Sequence, residues 1–300
     1  MFGRRQRMDP TLGETMNMPM TPLKFWAYAA CVASVASCDV VDDPVLDVIQ
    51  PCESDNAPVF EPLASDVQRV LLEDFTAHQC GNCPPAAELA HDLAVAHPGV
   101  VIPLGIHAGD LANTNESYPT DWTCDESVVF WNDLAFQVNP VGRVNRQADE
   151  TAVKFQDEWV EAVDLELSKS PAAGLQMAVE FDEAAGKLAV HVHTTWFEDL
   201  EGQARLALLV SENHLFGPQL YYGNDPEYVA DYEFEHLLRG SLTGAKGLVV
   251  AENAAAGDAE QLCYASSWNP AWDAVHTDIV AVLTADNGSV IQALSAPVAE

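Results

Sequence analysis

The stretch VLLEDFTAHQCGNCPPAAELAHDL, residues 70 to 93, contains the pattern that decides the fold. An apolar run, typical of a buried strand, leads to a turn with Cys80 and Cys83, and Pro84 and Pro85 follow directly. Proline is tolerated in the first turn of a helix because the amide groups there have no partner within the helix. The stretch therefore predicts a strand, a Cys-x-x-Cys turn and a helix.

Three interpretations of this cysteine pair are a redox centre, two metal ligands and a local structural disulfide. The amides and dipole at a helix start favour thiolate and can lower a cysteine pKa from about 8.5 to roughly 3.5 to 7.5. This effect predicts Cys80 as the attacking sulfur and Cys83 as the resolving sulfur. A metal site would need two more soft ligands at short spacing, and the sequence has no second Cys-x-x-Cys. We expect no metal and no cofactor, while the redox and structural interpretations stay open.

The first residues of the chain predict export to the cell envelope. Lys24 precedes an uncharged stretch, 25 to 37, which is too short to span a bilayer comfortably and is typical of a signal peptide. Val-Ala-Ser-Cys at 35 to 38 resembles a bacterial lipobox, in which Cys38 becomes the lipidated first residue of the mature chain. We therefore interpret residues 1 to 37 as a signal peptide, with Met20 as an alternative start, and expect membrane attachment through lipid only.

The charge of the chain restricts its partners. The sequence has 13 basic and 46 acidic residues and a net charge of −33, which argues against nucleic acid and anionic membrane surfaces. Residues 38 to 66 combine the lipidated cysteine with acidic residues and prolines and contain no basic residue, which predicts an extended tether.

An odd number of cysteines remains outside the Cys-x-x-Cys pair. Cys52, Cys124 and Cys263 remain in a compartment that is expected to be oxidising. At least one thiol is therefore free or pairs between molecules, and the sequence does not assign the pairing.

The secondary-structure pattern changes near residue 170. From 67 to 170, strand patterns (67 to 75, 100 to 106, 141 to 144) alternate with helical patterns (86 to 96, 126 to 136, 151 to 167), which predicts an α/β domain. From 171 to 300, segments with strand patterns are separated by turn signals (175 to 181, 188 to 196, 204 to 210, 278 to 284, 290 to 294). The second part is therefore predicted to be an all-β, immunoglobulin-like sandwich.

The residues around the cysteine pair resemble the motif of the thioredoxin fold. In thioredoxins a carboxylate under the active site helps to move the proton of the resolving thiol, and the resemblance gives this role to Asp74, six residues before Cys80. Thioredoxin-like folds also place a cis-proline opposite the cysteines, and the resemblance assigns it to Pro140, with Pro119 as the second candidate. An aromatic residue usually precedes the first cysteine, and this sequence lacks it. The redox potential is therefore open, and His78 is either a thiolate-stabilising group or an exposed loop residue.

Four segments together resemble the outer-membrane-protein-28-related lipoprotein family over nearly the whole mature chain. They are EDFTAHQCGNCP (73 to 84), GIHAGDLA (105 to 112), NPVGRVNR (139 to 146) and YEFEHLLRGSLTGAKG (232 to 247). The resemblance implies a lipid anchor, a thioredoxin-like domain, a β-rich C-terminal part and an outer-membrane address.

Several other residues are weaker candidates for a site. His191 and His193 share one strand face and suit a metal, although a structural role is favoured. His107 and Asp110 follow a strand end and border the predicted redox face, and Arg239 is expected to pair with an acidic residue.

Two functions fit these patterns. The first is an envelope lipoprotein whose Cys80 and Cys83 exchange thiols and disulfides with protein partners. The alternative is a non-catalytic surface or periplasmic binding lipoprotein in which Cys80 and Cys83 form a structural disulfide. Neither the substrate nor the direction of exchange follows from the sequence.

Overall fold

The structure is a computed structural model that describes residues 52, 57–61, 63–147 and 153–299. The predicted signal peptide, the lipid anchor predicted at Cys38 and most of the predicted tether lie outside the described residues. The described residues all belong to one compact unit, Pro44–Glu300. Within the described ranges, no helix is both long enough and apolar enough to cross a membrane.

The strand, turn and helix predicted around the cysteine pair are confirmed. Strand β1 (Val70–Thr76) is buried along its whole length and leads through the turn into helix α1 (Cys83–Ala96), whose first turn contains the two prolines. The helix returns the chain to strand β2 (Val101–His107), which pairs in parallel with β1. Helix α2 (Asp125–Asp133) follows, and strand β3 (Val141–Val144) pairs antiparallel with the other edge of β1.

The helix predicted from 151 to 167 begins later than the sequence pattern suggests. Helix α3 is Trp159–Leu167, after a 3-10 turn at Gln156–Glu158. Lys154 is extended because its amide and carbonyl both hydrogen-bond to Gly142 of β3, at 2.8 and 2.9 Å. The apolar residues before the 3-10 turn therefore belong to an extended segment, and this part of the helix prediction was wrong.

Together with β1, β2 and β3, the remaining strands form three sheets. They are β4 (Ala173–Asp182), β5 (Lys187–Trp196), β6 (Gln203–Glu212), β7 (Leu215–Leu220), β8 (Tyr228–Phe234), β9 (Leu237–Ser241), β10 (Leu248–Glu252), β11 (Ala259–Ser267), β12 (Thr277–Ala285) and β13 (Val290–Pro297). The largest sheet has the order β13-β12-β6-β9-β2-β1-β3, with β10 also paired to β6. The second sheet is β11-β5-β4, and β7 and β8 form a separate hairpin. The molecule is therefore mostly β-sheet.

The largest sheet contains strands from both sides of residue 170. Strand β9 pairs antiparallel with β6 and in parallel with β2, where Gly105 lies opposite Leu237 and its amide donates to the carbonyl oxygen of His236 at 2.7 Å. The domain boundary near residue 170 stays a prediction. Strands from before and after this residue are hydrogen-bonded neighbours in the same sheet.

Two large apolar clusters stabilise the fold. One packs helix α2 against strands of the largest sheet and includes Leu71, Phe75 and Phe130. The other fills the space between the largest sheet and the three-stranded sheet, where Val190 and Leu208 are fully buried. Burial of apolar surface on this scale is the dominant stabilising term for such a fold.

A buried ion cluster lies on one face of β1. The Glu73 carboxylate contacts Nε of Arg143 at 2.8 Å and Nη2 of Arg146 at 2.7 Å. Burial alone would raise the pKa of Glu73, but the charges and hydrogen bonds of the two arginines outweigh it and lower the pKa to about 2. Because neighbouring residues of a strand point to opposite faces, Asp74 lies on the other side of the sheet.

Candidate functional site

Cys80 and Cys83 are joined by a disulfide bond, and their Cα atoms lie 5.4 Å apart. The Cys80 amide donates to the carbonyl oxygen of Ala77 at 3.0 Å, and the Cys83 amide donates to that of Cys80 at 3.2 Å. Helix α1 begins at Cys83, so its dipole acts most directly on this cysteine, and Cys80 lies in the turn just before the helix. Cys80 is 3% exposed and Cys83 is 1% exposed, so both residues are shielded from solvent.

The hairpin of β7 and β8, residues 215–234, shields the cysteine turn and is called the covering hairpin below. The side-chain amide of Gln219 donates to the carbonyl oxygen of Cys80 at 3.0 Å. The Leu220 amide donates to the carbonyl oxygen of His78, and the Tyr222 amide donates to that of Gly81, both at 2.8 Å. The covering hairpin is therefore bonded to the turn itself.

Tyr222 lies directly over Gly81. A Cβ atom at position 81 would come within 2.5 Å of the Tyr222 ring, so only glycine leaves room for this ring. The small residue between the two cysteines is thus explained by packing against a distant part of the chain.

A cavity of about 320 Å³ lies beside Cys83 and is lined by Asp74, His107, Tyr232 and His236, among others. Asp74 is 3% exposed, and its Oδ1 atom has no hydrogen-bond partner among the described residues. Burial raises the pKa of Asp74 to about 8. The cavity therefore holds a carboxyl group that is mostly protonated at neutral pH and that can exchange a proton near that pH.

Two histidines near the cavity are buried. His107 packs edge-on against His78 and Phe234, with ring centroids 5.9 and 5.2 Å away, and burial lowers its pKa to about 3. His78 is 1% exposed and stacks on Tyr118, and burial lowers its pKa as well. The interpretation of His78 as an exposed loop residue was therefore wrong, because its ring is packed inside the site.

Pro140 lies where β1 leaves the sheet for the cysteine turn. The Asn139–Pro140 peptide bond is cis, as the thioredoxin resemblance implied, and within the described residues the bond before Pro119 is not. The Asn139 side-chain amide donates to the carbonyl oxygens of Phe75 and Thr76, at 3.1 and 3.2 Å. A role of Pro140 in binding substrate stays a prediction.

The other residues that the sequence suggested for a site lie in different parts of the structure. Asp110 is exposed and does not line the cavity beside Cys83. Arg239 contacts the carboxylate of Glu212 at 3.2 Å, which confirms its predicted pairing with an acid. His191 is buried, while the His193 ring stacks on Phe60.

The cysteines that the sequence left unassigned are now placed. Cys52 and Cys263 form a second disulfide bond, and Cys124 is the free thiol among the described residues. Burial raises the pKa of Cys124 to about 12, so its thiol is protonated and unreactive at neutral pH.

The fold and site define a mostly β protein with a covered, disulfide-bonded Cys-x-x-Cys turn. The family model of outer membrane protein Omp28 matches residues 131–300, more than half of the chain, and the chain belongs to this family. The matched part contains the covering hairpin and excludes Cys80 and Cys83. The family name indicates an outer-membrane or envelope location.

The structure is also similar to solved structures. One is HBP35 of Porphyromonas gingivalis, with 18% identity and a TM-score of 0.59, covering 79% of this chain and 77% of that chain. Another is an Agrobacterium tumefaciens protein solved by structural genomics, with 12% identity and a TM-score of 0.48, covering 79% of this chain and 97% of that chain. No curated protein sequence matches this chain. The similarity to HBP35 concerns the fold alone.

Proposed function

We propose that this protein exchanges thiols and disulfides with protein partners in the cell envelope. The observation that carries the proposal is the buried Asp74 carboxyl, which lines the same cavity as Cys83 and has a pKa of about 8. An acid–base group is most effective when its pKa lies near the working pH. Asp74 is therefore suited to take the proton of the resolving thiol.

In the proposed reaction, the Cys80 thiolate attacks a partner disulfide and displaces one partner sulfur as a thiolate. Asp74, as a carboxylate, then takes the proton of Cys83, and the Cys83 sulfur attacks the mixed disulfide at Cys80. The second partner sulfur leaves, so the partner gains two electrons and the Cys80–Cys83 disulfide forms. The same steps in reverse oxidise a partner dithiol.

Access to Cys80 requires the covering hairpin to move. With Cys80 only 3% exposed, a partner disulfide has no path to its sulfur while the Tyr222 ring lies on Gly81. The contacts that must break are the hydrogen bonds from Gln219, Leu220 and Tyr222 to the turn. The proposal therefore includes an opening step before exchange.

The proposal assigns a thioredoxin-like fold to residues 67–170 and an immunoglobulin-like sandwich to residues 171–300. The first assignment is supported by the parallel strands β1 and β2, which are joined through α1 with the cysteine turn at its start. The second is supported by the two facing sheets that share one apolar core.

The burial of both sulfurs favours a second candidate function. In this alternative the protein is a non-catalytic binding lipoprotein, and the Cys80–Cys83 disulfide only fixes the turn on which the covering hairpin rests. The two functions differ in whether Asp74 affects the rate of exchange.

An Asp74→Asn variant tests the proposed function. We expect it to release reduced partner from the mixed disulfide about 100-fold more slowly at neutral pH, because general acid–base groups contribute about 10² to 10⁴ in rate. Release can be followed by quenched-flow with a disulfide-bonded peptide. Asp92→Asn, an exposed carboxylate that lines the same cavity, is the matched control and should leave the rate unchanged. Equal rates in Asp74→Asn and the native protein would favour the binding function.

The same variant also provides a check that is independent of exchange. The pKa of Asp74 rises from the usual 3.8 to about 8 on folding, so between these values the folded state holds a proton that the unfolded state has lost. The contribution of Asp74 to the free energy of unfolding is therefore greatest at low pH. This contribution falls by up to about 1.4 kcal/mol per pH unit as the pH rises through this window. Urea unfolding of the oxidised protein should show a flatter pH profile for Asp74→Asn, and an unchanged profile would mean that Asp74 is ionised in the fold.

We propose in addition that Cys38 carries a lipid that anchors the protein to the outer membrane. The lipobox-like residues at 35 to 38 and the family name support this address. Cys38→Ala is expected to move the protein from the membrane fraction to the soluble fraction, whereas Cys31→Ala, within the predicted signal peptide, should not. Retention of Cys38→Ala in the membrane would argue against the lipid.

A further inference from the structure

A cluster of histidine and glutamate side chains lies at one end of the covering hairpin. Nδ1 of His214, which precedes β7, lies 2.5 Å from Oε1 of Glu233 and 3.1 Å from Oε1 of Glu235. One ligand atom from each of the three residues lies within 4.8 Å of the other two. His214 and Glu235 line a cavity of about 360 Å³, and Glu233 lines the neighbouring cavity beside Cys83. The first of these cavities contains neither Cys83 nor Asp74, although Glu235 and His236 also line the cavity beside Cys83.

A fourth residue brings another imidazole to the cluster. The ring of His276 lies edge-on to His214, with centroids 4.7 Å apart. Asn213 holds this arrangement because its amide donates to the carbonyl oxygen of His276 at 2.8 Å and its Oδ1 accepts the amide of His236 at 2.8 Å. The histidines at this end of the hairpin are therefore positioned by hydrogen bonds to the backbone.

The backbone at His214 and His236 is strained. Both residues have φ of 56°, in the left-handed region that non-glycine residues rarely adopt. Such conformations cluster at active sites and ligand-binding sites. Nε2 of His236, which lines the same cavity, has no hydrogen-bond partner among the described residues. Strain and an unpartnered imidazole nitrogen at one cavity are expected of a binding site more than of an ordinary surface turn.

We propose that His214, Glu233 and Glu235 bind a divalent transition-metal ion such as Zn²⁺, and that His276, whose ring contacts that of His214, is the candidate for a further ligand. Imidazole nitrogen and carboxylate oxygen are ordinary zinc ligands, and three protein ligands leave a position for water or a substrate. A nitrogen and oxygen ligand set disfavours Cu(I), which prefers thiolate and thioether ligands. The positive charge of the ion would balance the negative charges of the Glu233 and Glu235 carboxylates.

The simpler explanation of these contacts is a protonated imidazole between two carboxylates. The hydrogen bond from Glu233 and the charge of Glu235 raise the pKa of His214, which favours this ion pair. A metal ion would take the place of that proton on Nδ1, so the two explanations differ in whether the cluster binds Zn²⁺ with measurable affinity.

Calorimetric titration of the purified full chain with Zn²⁺, with both disulfides oxidised, tests the proposal. We expect one ion per chain, and His214→Gln and Glu233→Gln should each weaken binding at least about tenfold, since loss of even an outer-shell partner costs about 10- to 100-fold. His97→Gln and Glu252→Gln are matched controls that do not line the cavity and should bind as the native protein does. Glu233 is half-exposed, so its variant is expected to fold even if His214→Gln does not.

Co²⁺ used in place of Zn²⁺ identifies the ligand atoms. We expect ligand-field absorption without a thiolate charge-transfer band, because the proposed ligands are nitrogen and oxygen. The absence of Zn²⁺ binding, binding unchanged in His214→Gln and Glu233→Gln, or a thiolate band would each overturn the proposal. Cys80 and Cys83 take no part, so the result leaves the proposed thiol exchange untouched.

Discussion

A Cys83→Ser variant is expected to hold partner proteins as mixed disulfides on Cys80 and to lose all catalytic turnover. In the proposed exchange Cys83 supplies the sulfur that releases the partner, so without it the reaction would stop after the first attack. The measurement is the mass of the adduct formed with a disulfide-bonded peptide, followed by the same experiment with envelope proteins.

Two control variants make this result specific. Cys124→Ser removes the free, partly buried thiol and should leave trapping unchanged. Replacement of both Cys80 and Cys83 by serine should abolish the adduct. If Cys83→Ser forms no adduct while iodoacetamide still alkylates Cys80, the sulfur is accessible but does not exchange, and the binding function is favoured.

The covering hairpin should set the rate of this trapping. Adding Tyr222→Ala to Cys83→Ser removes the ring that lies on Gly81, and we expect trapping about tenfold faster, equivalent to about 1.4 kcal/mol less opening free energy. Tyr228→Ala is a matched control on the same hairpin, because Tyr228 donates to the carbonyl oxygen of Ser117 and not to the cysteine turn. Equal rates in the Tyr222 and Tyr228 variants would mean that the hairpin does not control access.

Glu73→Gln is expected to reduce the free energy of unfolding by about 3 to 5 kcal/mol, because breaking a buried ion pair leaves uncompensated charge in the interior. The Glu73 carboxylate contacts both Arg143 and Arg146, which are themselves buried. An amide in its place carries no charge to balance the two guanidinium groups. Urea unfolding of the oxidised protein measures the loss.

A surface variant calibrates this measurement. Glu116 is exposed, and Glu116→Gln should change stability by no more than about 0.5 kcal/mol. A loss of less than about 1 kcal/mol in Glu73→Gln would mean that the buried cluster rearranges and still balances its charges.

The sequence was most informative where the signals are local. The apolar run, the cysteine turn and the two prolines lie within 24 residues and specify β1, the turn and the start of α1 without any distant contact. The helix prediction from 151 failed because Lys154 bonds to Gly142, a backbone contact that apolar spacing does not reveal.

The covering hairpin could not be predicted from the sequence. Gln219 contacts Cys80 across 139 residues, and nothing in the hairpin sequence indicates where it docks. The Cys52–Cys263 disulfide spans 211 residues and was unassignable for the same reason. His214 and Glu233 become neighbours only once the pairing of β7 with β8 is known.

The parallel pairing of β2 with β9 has a consequence for any shortened form of this protein. The amide of Gly105 in β2 donates to the carbonyl oxygen of His236. A segment far along the chain therefore covers this edge of β2. A fragment ending near residue 170 would present β2 as an open edge, and open edges are templates for pairing with other chains. We expect such a fragment to aggregate, so the part of the chain before residue 170 is unsuitable as a stand-alone module.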